Sequence, residues 1–457
     1  MSLHETLEAY RKGNLELWCP IMTVYKEGSS NLIEYLGSGL IRQNEEQRLE
    51  FVLIEGSSAA LFENLKRMLG NTAEIGKLLP PDKYYSLEAT DLSGKTWKAE
   101  RLLVNPYFGR AGIKVMGNIY LLDHTESSDS QNTAVELEIF SDIKLPLAEA
   151  TKKTVSVGKN EFVSWQRNMA TFKVGQCEFT ITNKNGIITV VVTSENTSTP
   201  KYFETRIIEA LQYITARTIS WRILQKTGDG KSITCLRSPD DTSPPSQLSL
   251  PVDYIHADFE GKWIWMLFGK YLEHIYNFEA ENRFEMHPLS AWLHYVRKTS
   301  AGSIFTRGLG LGTAVEGILE CEFSKIGTLS QEDFRSIDEM IAHVKAFAGD
   351  ENIRKRTIGA LGSWRTIRAK DRLRILERSH IIRPEDMIAW DSIRNRAAHA
   401  TPPEKEELQK WIDNCYKAEV LLNHLIFNAI GYEGEFTDYG KSNWPQSMYP
   451  CSRTVPS

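Results

Sequence analysis

The stretch Cys177–Val192 reads CEFTITNKNGIITVVV, and it decides how the first half of the chain folds. Two runs rich in β-branched and aromatic residues flank the pair Asn185-Gly186. Asn and Gly accept the positive φ angles that a two-residue turn between antiparallel strands requires. The stretch therefore predicts a tight β-hairpin.

Runs of the same kind occur throughout the first 200 residues. Examples are RLEFVLI at 48–54, NIYLL at 118–122 and AVELEIF at 134–140. Short β-branched and aromatic runs bounded by turn residues are typical of strands. We therefore expect residues 1–200 to form an antiparallel sheet or sandwich.

Residues 201–300 change in character. We expect a helix from Phe203 to about Ser220, and a second hairpin that turns at Gly228-Asp229-Gly230. Aromatic-rich helices are predicted at 258–280 and 288–298. The N-terminal region 1–300 is thus β-rich to residue 200 and mixed helix and hairpin beyond it.

From about Gly308 to Gly431 the pattern is helical, with helices predicted to begin at Thr313, Gln331, Ile353, Pro384 and Pro402. In the last helix Thr401 and Glu404 are placed to form a capping box, and Gly431 to end the helix. One face carries apolar residues at helical spacing: Leu408, Trp411, Ile412, Cys415, Leu422, Leu425, Ile426 and Ala429. The predicted fold class is α+β, with a helical domain at 306–435 and an extended aromatic and Pro-containing tail at 436–457.

The composition is that of a soluble globular protein of two or three domains, because 41% of the 457 residues are hydrophobic and 25% are charged. The net charge of −5 means that a nucleic-acid site must be a local basic patch. The six cysteines form no C-x-x-C pair, which argues against a zinc site or a disulfide framework. The longest apolar run, Trp263–Phe268, is too short to span a bilayer, and the N-terminus lacks a signal-peptide core. We expect a cytoplasmic protein with no membrane association and no metal or other cofactor.

The stretch WDSIRNRAAHATPP, residues 390–403, carries the candidate chemistry. On a helix, Ala389, Trp390, Ile393, Ala397 and Ala400 gather on one face, which must be the core face. Arg394, Asn395 and His399 lie on the polar side. A neutral His can exchange a proton near neutral pH, and an Arg can hold a phosphoryl oxygen and offset developing charge.

Two ordinary interpretations compete with a catalytic one. Arg394 has Asp391 one turn earlier as a partner for a surface ion pair, and His399 is favoured by the dipole at a helix end. The spacing R-x(4–6)-H also occurs at Arg374/His380, so spacing alone does not identify a site.

The segment Glu351–Arg383 is strongly basic. It contains ten Lys or Arg residues and three acids, a net charge of +7 in an acidic protein. Arg365, Arg368 and Arg372 are predicted to share a helix face and to bind RNA phosphates in a salt-dependent way. The alternative is a solvated basic face that acids elsewhere in the fold balance.

Two features sit at the start of the helical region. Glu316 is a candidate to support the Arg/His site, although Thr313 and Glu316 together also fit a capping box. Residues 308–312, GLGLG, have no preceding strand and no Lys-Ser/Thr, so we interpret them as a flexible entry to the helix and not as a phosphate loop.

The chain resembles a known family at this point. IRNRAAH on the penultimate helix, the long amphipathic helix after it and then IGYEGEFTDY look like a HEPN domain of the ApeA-like anti-phage branch. The β-rich N-terminal region is similar to the region that precedes such domains. The resemblance is strong over 380–440 and loose over 1–300. One departure is Ala400, where Gly often follows the motif His.

The resemblance implies a metal-independent endoribonuclease that cleaves RNA, tRNA among its candidate substrates, in abortive infection. Arg394 would be the motif Arg, Asn395 the polar residue after it and His399 the motif His, with Glu316 and Asp391 in support. It also implies a homodimer or higher homo-oligomer through the HEPN domain. The N-terminal region would sense a phage-derived trigger or restrain the nuclease.

Two other functions remain open on the residues alone. One is a non-catalytic HEPN dimer that binds RNA or nucleotides or scaffolds a partner. The other is a β-rich binding protein whose helical half only dimerises.

Overall fold

Strands occupy the first part of the chain and helices the second, which confirms the predicted α+β class. The computed structural model describes residues 1–28, 33–55, 79–109, 112–129, 133–157, 160–194, 199–240, 248–253, 261–398 and 405–449. The first compact unit comprises Met1–Ile143, Leu147–Thr199 and Ile219–Thr242, and the second Lys144–Pro146, Pro200–Thr218 and Ser243–Ser457. These units do not coincide with the predicted boundaries at residues 300 and 306, because helices between 200 and 300 belong to the second unit.

The first unit consists of a short helix, α1 (Leu3–Arg11), and fifteen strands among the described residues. The strands are β1 (Glu16–Lys26), β2 (Ile33–Gln43), β3 (Leu49–Glu55), β4 (Tyr85–Thr90), β5 (Thr96–Leu102), β6 (Val104–Gly109), β7 (Gly112–Ile119), β8 (Leu121–Ser127), β9 (Thr133–Phe140), β10 (Glu149–Val157), β11 (Asn160–Val174), β12 (Cys177–Lys184), β13 (Ile187–Ser194), β14 (Ile223–Gly228) and β15 (Lys231–Arg237). They form one antiparallel sheet in the order β10-β11-β12-β13-β9-β14-β15-β8-β5-β4-β1-β2-β3-β7-β6.

Alternation along the strands creates the core of this unit. In β5, for example, Trp97, Ala99 and Leu102 are buried while their neighbours face outward or are half-buried. Because side chains alternate between the two faces of a strand, one face of such a strand can pack in the core. Trp97, Tyr10 and Phe51 are the largest fully buried side chains of this core.

Both predicted hairpins are confirmed. Asn185 (φ 54°) and Gly186 (φ 80°) connect β12 and β13, and Lys184 pairs with Ile187. Asp229 (φ 52°) and Gly230 (φ 70°) connect β14 and β15 in the same way. Local turn chemistry therefore sets the register of each hairpin.

The second unit consists of helices and one short hairpin. The helices are α2 (Phe203–Thr215), α3 (Lys262–Ile275), α4 (Pro288–Ser300), α5 (Ile304–Glu322), α6 (Gln331–Ala346), α7 (Glu351–Gly362), α8 (Ala369–Arg378), α9 (Pro384–Ala398) and α10 (Leu408–Ile430). The hairpin strands are β16 (Gly434–Thr437) and β17 (Gln446–Tyr449). Within the described residues, no helix combines the length and the apolar character needed to cross a bilayer.

The end of α10 matches its prediction, and its start does not. Gly431 (φ 64°) stops the helix as expected. The helix begins at Leu408, after a short 3-10 turn at Lys405–Glu407, and not at Pro402. The predicted caps Thr401 and Glu404 lie outside the described residues.

The helix α5 corrects two predictions. It begins at Ile304, where Ser303 and Thr306 form the capping box. The predicted start at Thr313 and the predicted cap by Thr313 and Glu316 are therefore wrong, because both residues lie well inside the helix. Residues 308–312 are helical too and are not a flexible entry.

Glycines in α5 let neighbouring side chains approach its backbone. A Cβ atom on Gly308 would lie 2.6 Å from Trp411 of α10. One on Gly317 would lie 2.0 Å from the indole ring of Trp292 in α4. Because real Cβ atoms do not make such short contacts, α5 packs this closely only with glycine at these positions.

The segment predicted as an extended tail is a hairpin as far as Tyr449. Phe436, Tyr439 and Tyr449 are buried, and Phe436 and Tyr449 contact the ring of His424 on α10. Among the residues that the structure describes, neither ring nitrogen of His424 has a hydrogen-bond partner, and the residue is 5% exposed. This burial lowers the pKa of His424 to about 3, and the charges of Arg383 and Lys441 act in the same direction.

We predict that Gly317→Ala destabilises the protein by about 1–3 kcal/mol, because the new methyl group overpacks the contact with Trp292. Gly359→Ala is the matched control, since nothing lies within 4 Å of its Cβ position in α7. Gly359→Ala should raise the free energy of unfolding by about 0.5–1 kcal/mol, because Ala loses less conformational entropy in a helix than Gly does. Urea denaturation measures both values, and a neutral Gly317→Ala would contradict the close packing.

We also predict that His424 makes the fold sensitive to acid. The unfolded chain binds a proton at His424 near pH 6.5, whereas the folded chain does so only near pH 3, so the unfolded state gains stability as the pH falls below 6.5. As the pH falls from 7 to 5, protonation of His424 in the unfolded chain should lower the free energy of unfolding by about 2 kcal/mol.

His424→Phe should remove that loss, and the exposed His343 provides the control His343→Gln. Urea denaturation at pH 7, 6 and 5 measures the difference. Equal pH slopes for wild type and His424→Phe would show that the pKa of His424 is the same in the folded and unfolded chain, which would contradict the prediction.

Candidate functional site

The candidate site lies where α9 packs against α5. Trp390 is 2% exposed, and its indole Nε1 donates to the carbonyl oxygen of Gly312 at 3.2 Å. Ala389 and Ile393 are buried beside it, which confirms the predicted core face for these three residues. The burial fixes which side of α9 points to solvent.

Arg394 is the central residue on the solvent side. Its Nε donates to Glu316 Oε1 at 2.8 Å, and both side chains are substantially exposed, 45% and 37%. The Cα of Arg394 lies 3.4 Å from the position of a Cβ on Gly312, so Glu316, one turn further along α5, is within reach of the guanidinium. The alternative interpretation, an ion pair of Arg394 with Asp391, is therefore not what forms, and Arg394 pairs with Glu316.

Asn395 and Asp391 continue the polar network. Arg394 Nη1 donates to Asn395 Oδ1 at 3.4 Å, and Asn395 Nδ2 donates to Asp391 Oδ1 at 3.3 Å. Lys370 of α8 donates to the other carboxylate oxygen of Asp391 at 2.7 Å. Sequence reasoning missed Lys370, because no local pattern connects residues 370 and 391.

Contacts with neighbouring side chains orient the guanidinium of Arg394 but do not occupy all of its N–H donors. Glu316 binds at Nε, and Asn395 makes a long contact at Nη1. Within the described part of the chain, Nη2 meets no acceptor. The arrangement can therefore present N–H donors to an anion from solvent.

The predicted residue His399 lies outside the described residues, and so do the predicted core position Ala400 and the two prolines. On either side of this gap, Arg396 and Glu407 form a two-point ion pair with distances of 2.7 and 3.2 Å. The pair connects the last turn of α9 to the 3-10 turn before α10.

The predicted basic stripe does not form a common helix face. The helix α7 ends at Gly362, Arg365 belongs to a 3-10 turn, and Arg368 is the N-cap residue of α8. Two of the three arginines are also ion-paired: Arg365 with Asp338, and the largely buried Arg372 with Glu320. The prediction of a shared face is wrong, because a 3-10 turn and three non-helical residues separate α7 from α8. RNA binding by these arginines stays a prediction.

A second cluster of chemically capable side chains lies elsewhere in the second unit. His274 in the last turn of α3, His287 at the N-cap of α4 and Glu322 at the end of α5 bring ligand-type atoms within 4.8 Å of one another. His274 Nε2 lies 3.1 Å from Glu322 Oε2. This cluster was not predicted from the sequence, because twelve residues separate the two histidines and no short motif covers such a spacing.

The cluster is half-buried, and this affects its titration. Burial lowers the pKa of His287 to about 4, so its imidazole is neutral at pH 7. Burial alone would raise the pKa of Glu322, but the hydrogen bond and the charge of His274 outweigh it and the pKa is lowered. Neutral imidazole and ionised carboxylate are the forms that bind metal ions.

In comparisons with protein-family models, with curated proteins and with solved structures, no significant match to this chain was found. The interpretation of the site therefore depends on its geometry and on the resemblance of its sequence motif.

We predict that the Glu316–Arg394 pair contributes little to stability. Exposed ion pairs contribute about 0–1 kcal/mol, because water screens them and ordering two long side chains costs entropy. Arg394→Ala, Glu316→Gln and the double variant should therefore unfold within about 1 kcal/mol of wild type. A coupling energy above about 2 kcal/mol in this double-mutant cycle would instead identify the pair as a structural element.

Proposed function

We propose that this protein is a metal-independent HEPN-type endoribonuclease of bacterial anti-phage defence. The observation that carries the proposal is the exposed Arg394, oriented through its Nε by Glu316 and adjacent to Asn395. These are the positions of the motif Arg and of the polar residue that follows it. His399, the motif His, follows five residues after Arg394 in the sequence.

The proposed reaction is an attack of the RNA 2′-hydroxyl on the adjacent phosphorus. The bond from phosphorus to the 5′-oxygen breaks, and the products are a 2′,3′-cyclic phosphate and a 5′-hydroxyl. One His399 takes the proton from the 2′-oxygen, and a second imidazole gives a proton to the leaving 5′-oxygen. Arg394 offsets the charge on the phosphoryl oxygens in the transition state. Since the attack needs a 2′-hydroxyl, DNA should resist cleavage.

A homodimer fits this chemistry. One chain supplies a single His399 and a single Arg394 at the site, and the reaction uses a base and an acid. A two-fold axis that brings two α9 helices together would duplicate both residues in one cleft. We therefore propose dimerisation through the helical region.

The remaining parts of the proposal concern partners and location. The +7 segment at 351–383 is the candidate source of attraction for RNA phosphates, although its arginines do not form one stripe. The N-terminal region would act as the sensor of a phage-derived trigger or as the regulator of the nuclease. An enzyme acting on host or phage RNA would work in the cytoplasm.

A non-catalytic RNA-binding or scaffolding HEPN dimer is the second candidate. One observation favours it: acids already engage the predicted arginines, since Glu316 binds Arg394, Asp338 binds Arg365 and Glu320 binds Arg372. Such pairing is usual for arginines with a structural or solubility role. The two candidates differ in whether RNA is cut.

We predict EDTA-resistant cleavage of total tRNA or of a synthetic RNA that leaves 2′,3′-cyclic phosphate ends. Arg394→Ala and His399→Ala should each lower the rate by at least a hundredfold, since a general acid or base contributes about 10²–10⁴. Glu316→Gln should lower it less, because the guanidinium stays but loses its orienting carboxylate. The assay is run with and without phage lysate, which supplies any trigger.

The second R-x(4–6)-H match provides the matched control. Arg374 is exposed on α8 and pairs with Asp371, and His380 adopts a positive φ of 56° just after that helix. His380→Asn should cleave as wild type does, since Asn tolerates this backbone conformation. Arg374→Ala should lower cleavage far less than Arg394→Ala, because it removes only one of the ten basic residues of the +7 segment. Cleavage that survives both Arg394→Ala and His399→Ala would overturn the proposed site. RNA binding without cleavage, even with lysate, would favour the non-catalytic dimer.

A further inference from the structure

Three helices of the second unit converge on the cluster of His274, His287 and Glu322. The side chains of His274 and Glu322 are 24% and 13% exposed, so the cluster is accessible to an ion but largely removed from bulk water. All three side chains can direct an N or O ligand atom to one point, since these atoms lie within 4.8 Å of one another.

The distances suit a transition-metal ion. Zinc binds imidazole nitrogen and carboxylate oxygen at about 2.0–2.2 Å in tetrahedral geometry, which places two ligand atoms roughly 3.3 Å apart. His274 Nε2 and Glu322 Oε2 already lie 3.1 Å apart. Two imidazoles and one carboxylate also form a ligand set known for zinc, with a fourth position open to water.

We propose that His274, His287 and Glu322 bind one divalent transition-metal ion of the zinc type. A simple His–Glu hydrogen bond would account for two of these residues only. His287 is the additional residue, and its ring lies edge-on to that of His274 at a centroid distance of 5.6 Å. A third ligand, here a second imidazole nitrogen, next to a formed His–Glu pair is what distinguishes a metal site from an isolated pair.

Metal binding would change the hydrogen bonds of the two histidines. The ion replaces the proton shared by His274 and Glu322. His287 Nδ1 now accepts from the N–H of Leu289 at 3.2 Å and thereby caps α4. Coordination through Nε2 would move the imidazole proton to Nδ1, so the cap bond would be given up. The metal would then hold the start of α4 next to α3 and α5, in place of a bond that only caps α4 locally.

This site is separate from the proposed cleavage site, and its open fourth position would hold a water molecule on the ion. Glu322 lies six residues after Glu316 on α5, which is about 9 Å along the axis and about 240° around it. The two glutamates therefore point to different faces of the helix. The metal would join α3, α4 and α5, and it has no part in the proposed RNA cleavage.

The test uses the full-length protein, stripped with a chelator and then titrated with Zn(II) or Co(II). We expect one equivalent of metal per chain by elemental analysis, the visible absorption of tetrahedral Co(II), and a higher Tm in the metal-bound form. His274→Ala and Glu322→Gln should each weaken binding by at least about a hundredfold, since loss even of an outer residue that orients a ligand costs about 10–100-fold.

Two control variants keep the result specific. Cys321→Ser removes the thiol next to Glu322, and His343→Ala removes an exposed histidine of α6; both should bind metal as wild type does. His287→Ala also loses a helix cap, so His274→Ala and Glu322→Gln carry the test, with circular dichroism of the metal-free proteins to verify folding. If either of these fails to fold, His274→Gln replaces it.

Three results would overturn the proposal. The first is that wild type binds neither Zn(II) nor Co(II). The second is that His274→Ala and Glu322→Gln bind the metal as tightly as wild type does. The third is that Cys321→Ser loses the binding. None of them bears on the cleavage proposal, because the RNA assay is performed in excess EDTA.

Discussion

The close packing around α5 is the constraint on which the helical unit depends. Glycines bring the side chains of Trp292, Thr299 and Trp411 to within contact of the α5 backbone, from α4 and α10. A third partner, α9, approaches at Gly312, which also accepts the Trp390 hydrogen bond. This arrangement determines the positions of both Arg394 and Glu322. The helix α5 carries Glu316, which is the partner of Arg394, and it also carries Glu322 itself. Without these glycines, the neighbouring helices could not pack this closely against α5, which carries residues of both sites.

The charged groups around α9 fall into two classes that contribute differently. At its start, Arg383 binds the fully buried carboxylates of Asp386 and Asp438 at 2.6–3.1 Å, and burial raises the pKa of Asp386 to about 6. Removing one partner of such a buried group leaves an uncompensated charge, which is strongly destabilising. Near its end, Arg394 and Glu316 are exposed and replaceable. The helix is thus anchored at its N-terminal end by buried charge, and its C-terminal end carries groups that can exchange partners.

Sequence reasoning succeeded where the cause of the structure is local. The turn at Asn185-Gly186 and the helix stop at Gly431 both depend on φ angles that few residues adopt, so residue type alone indicates them. The core face of α9 follows from helical periodicity.

Features that depend on contacts between residues far apart in the sequence could not be predicted from local residue patterns. The start of α5 at Ile304 was missed, because a glycine-rich stretch has a low helix propensity and only packing overrides it. Glu316 was a candidate to support Arg394 on the resemblance, but no local pattern could choose between it and the nearer Asp391 as the partner, because Glu316 lies 78 residues away. The contact of Lys370 with Asp391, and that of His274 and His287 with Glu322, could not be predicted for the same reason. Only the folded chain brings these residues together.

The path of the chain through the two units has a consequence for how such a protein could be controlled. The chain passes from one unit to the other five times, at 143/144, 146/147, 199/200, 218/219 and 242/243. The late strands β14 and β15 lie between β9 and β8, so the sheet is continuous only after residue 237 has been synthesised. A protease that cuts once cannot yield both units whole, because α2 is encoded between two segments of the sheet. Release of one whole unit by a single proteolytic cut, a common means of activating latent enzymes, is therefore closed to this architecture.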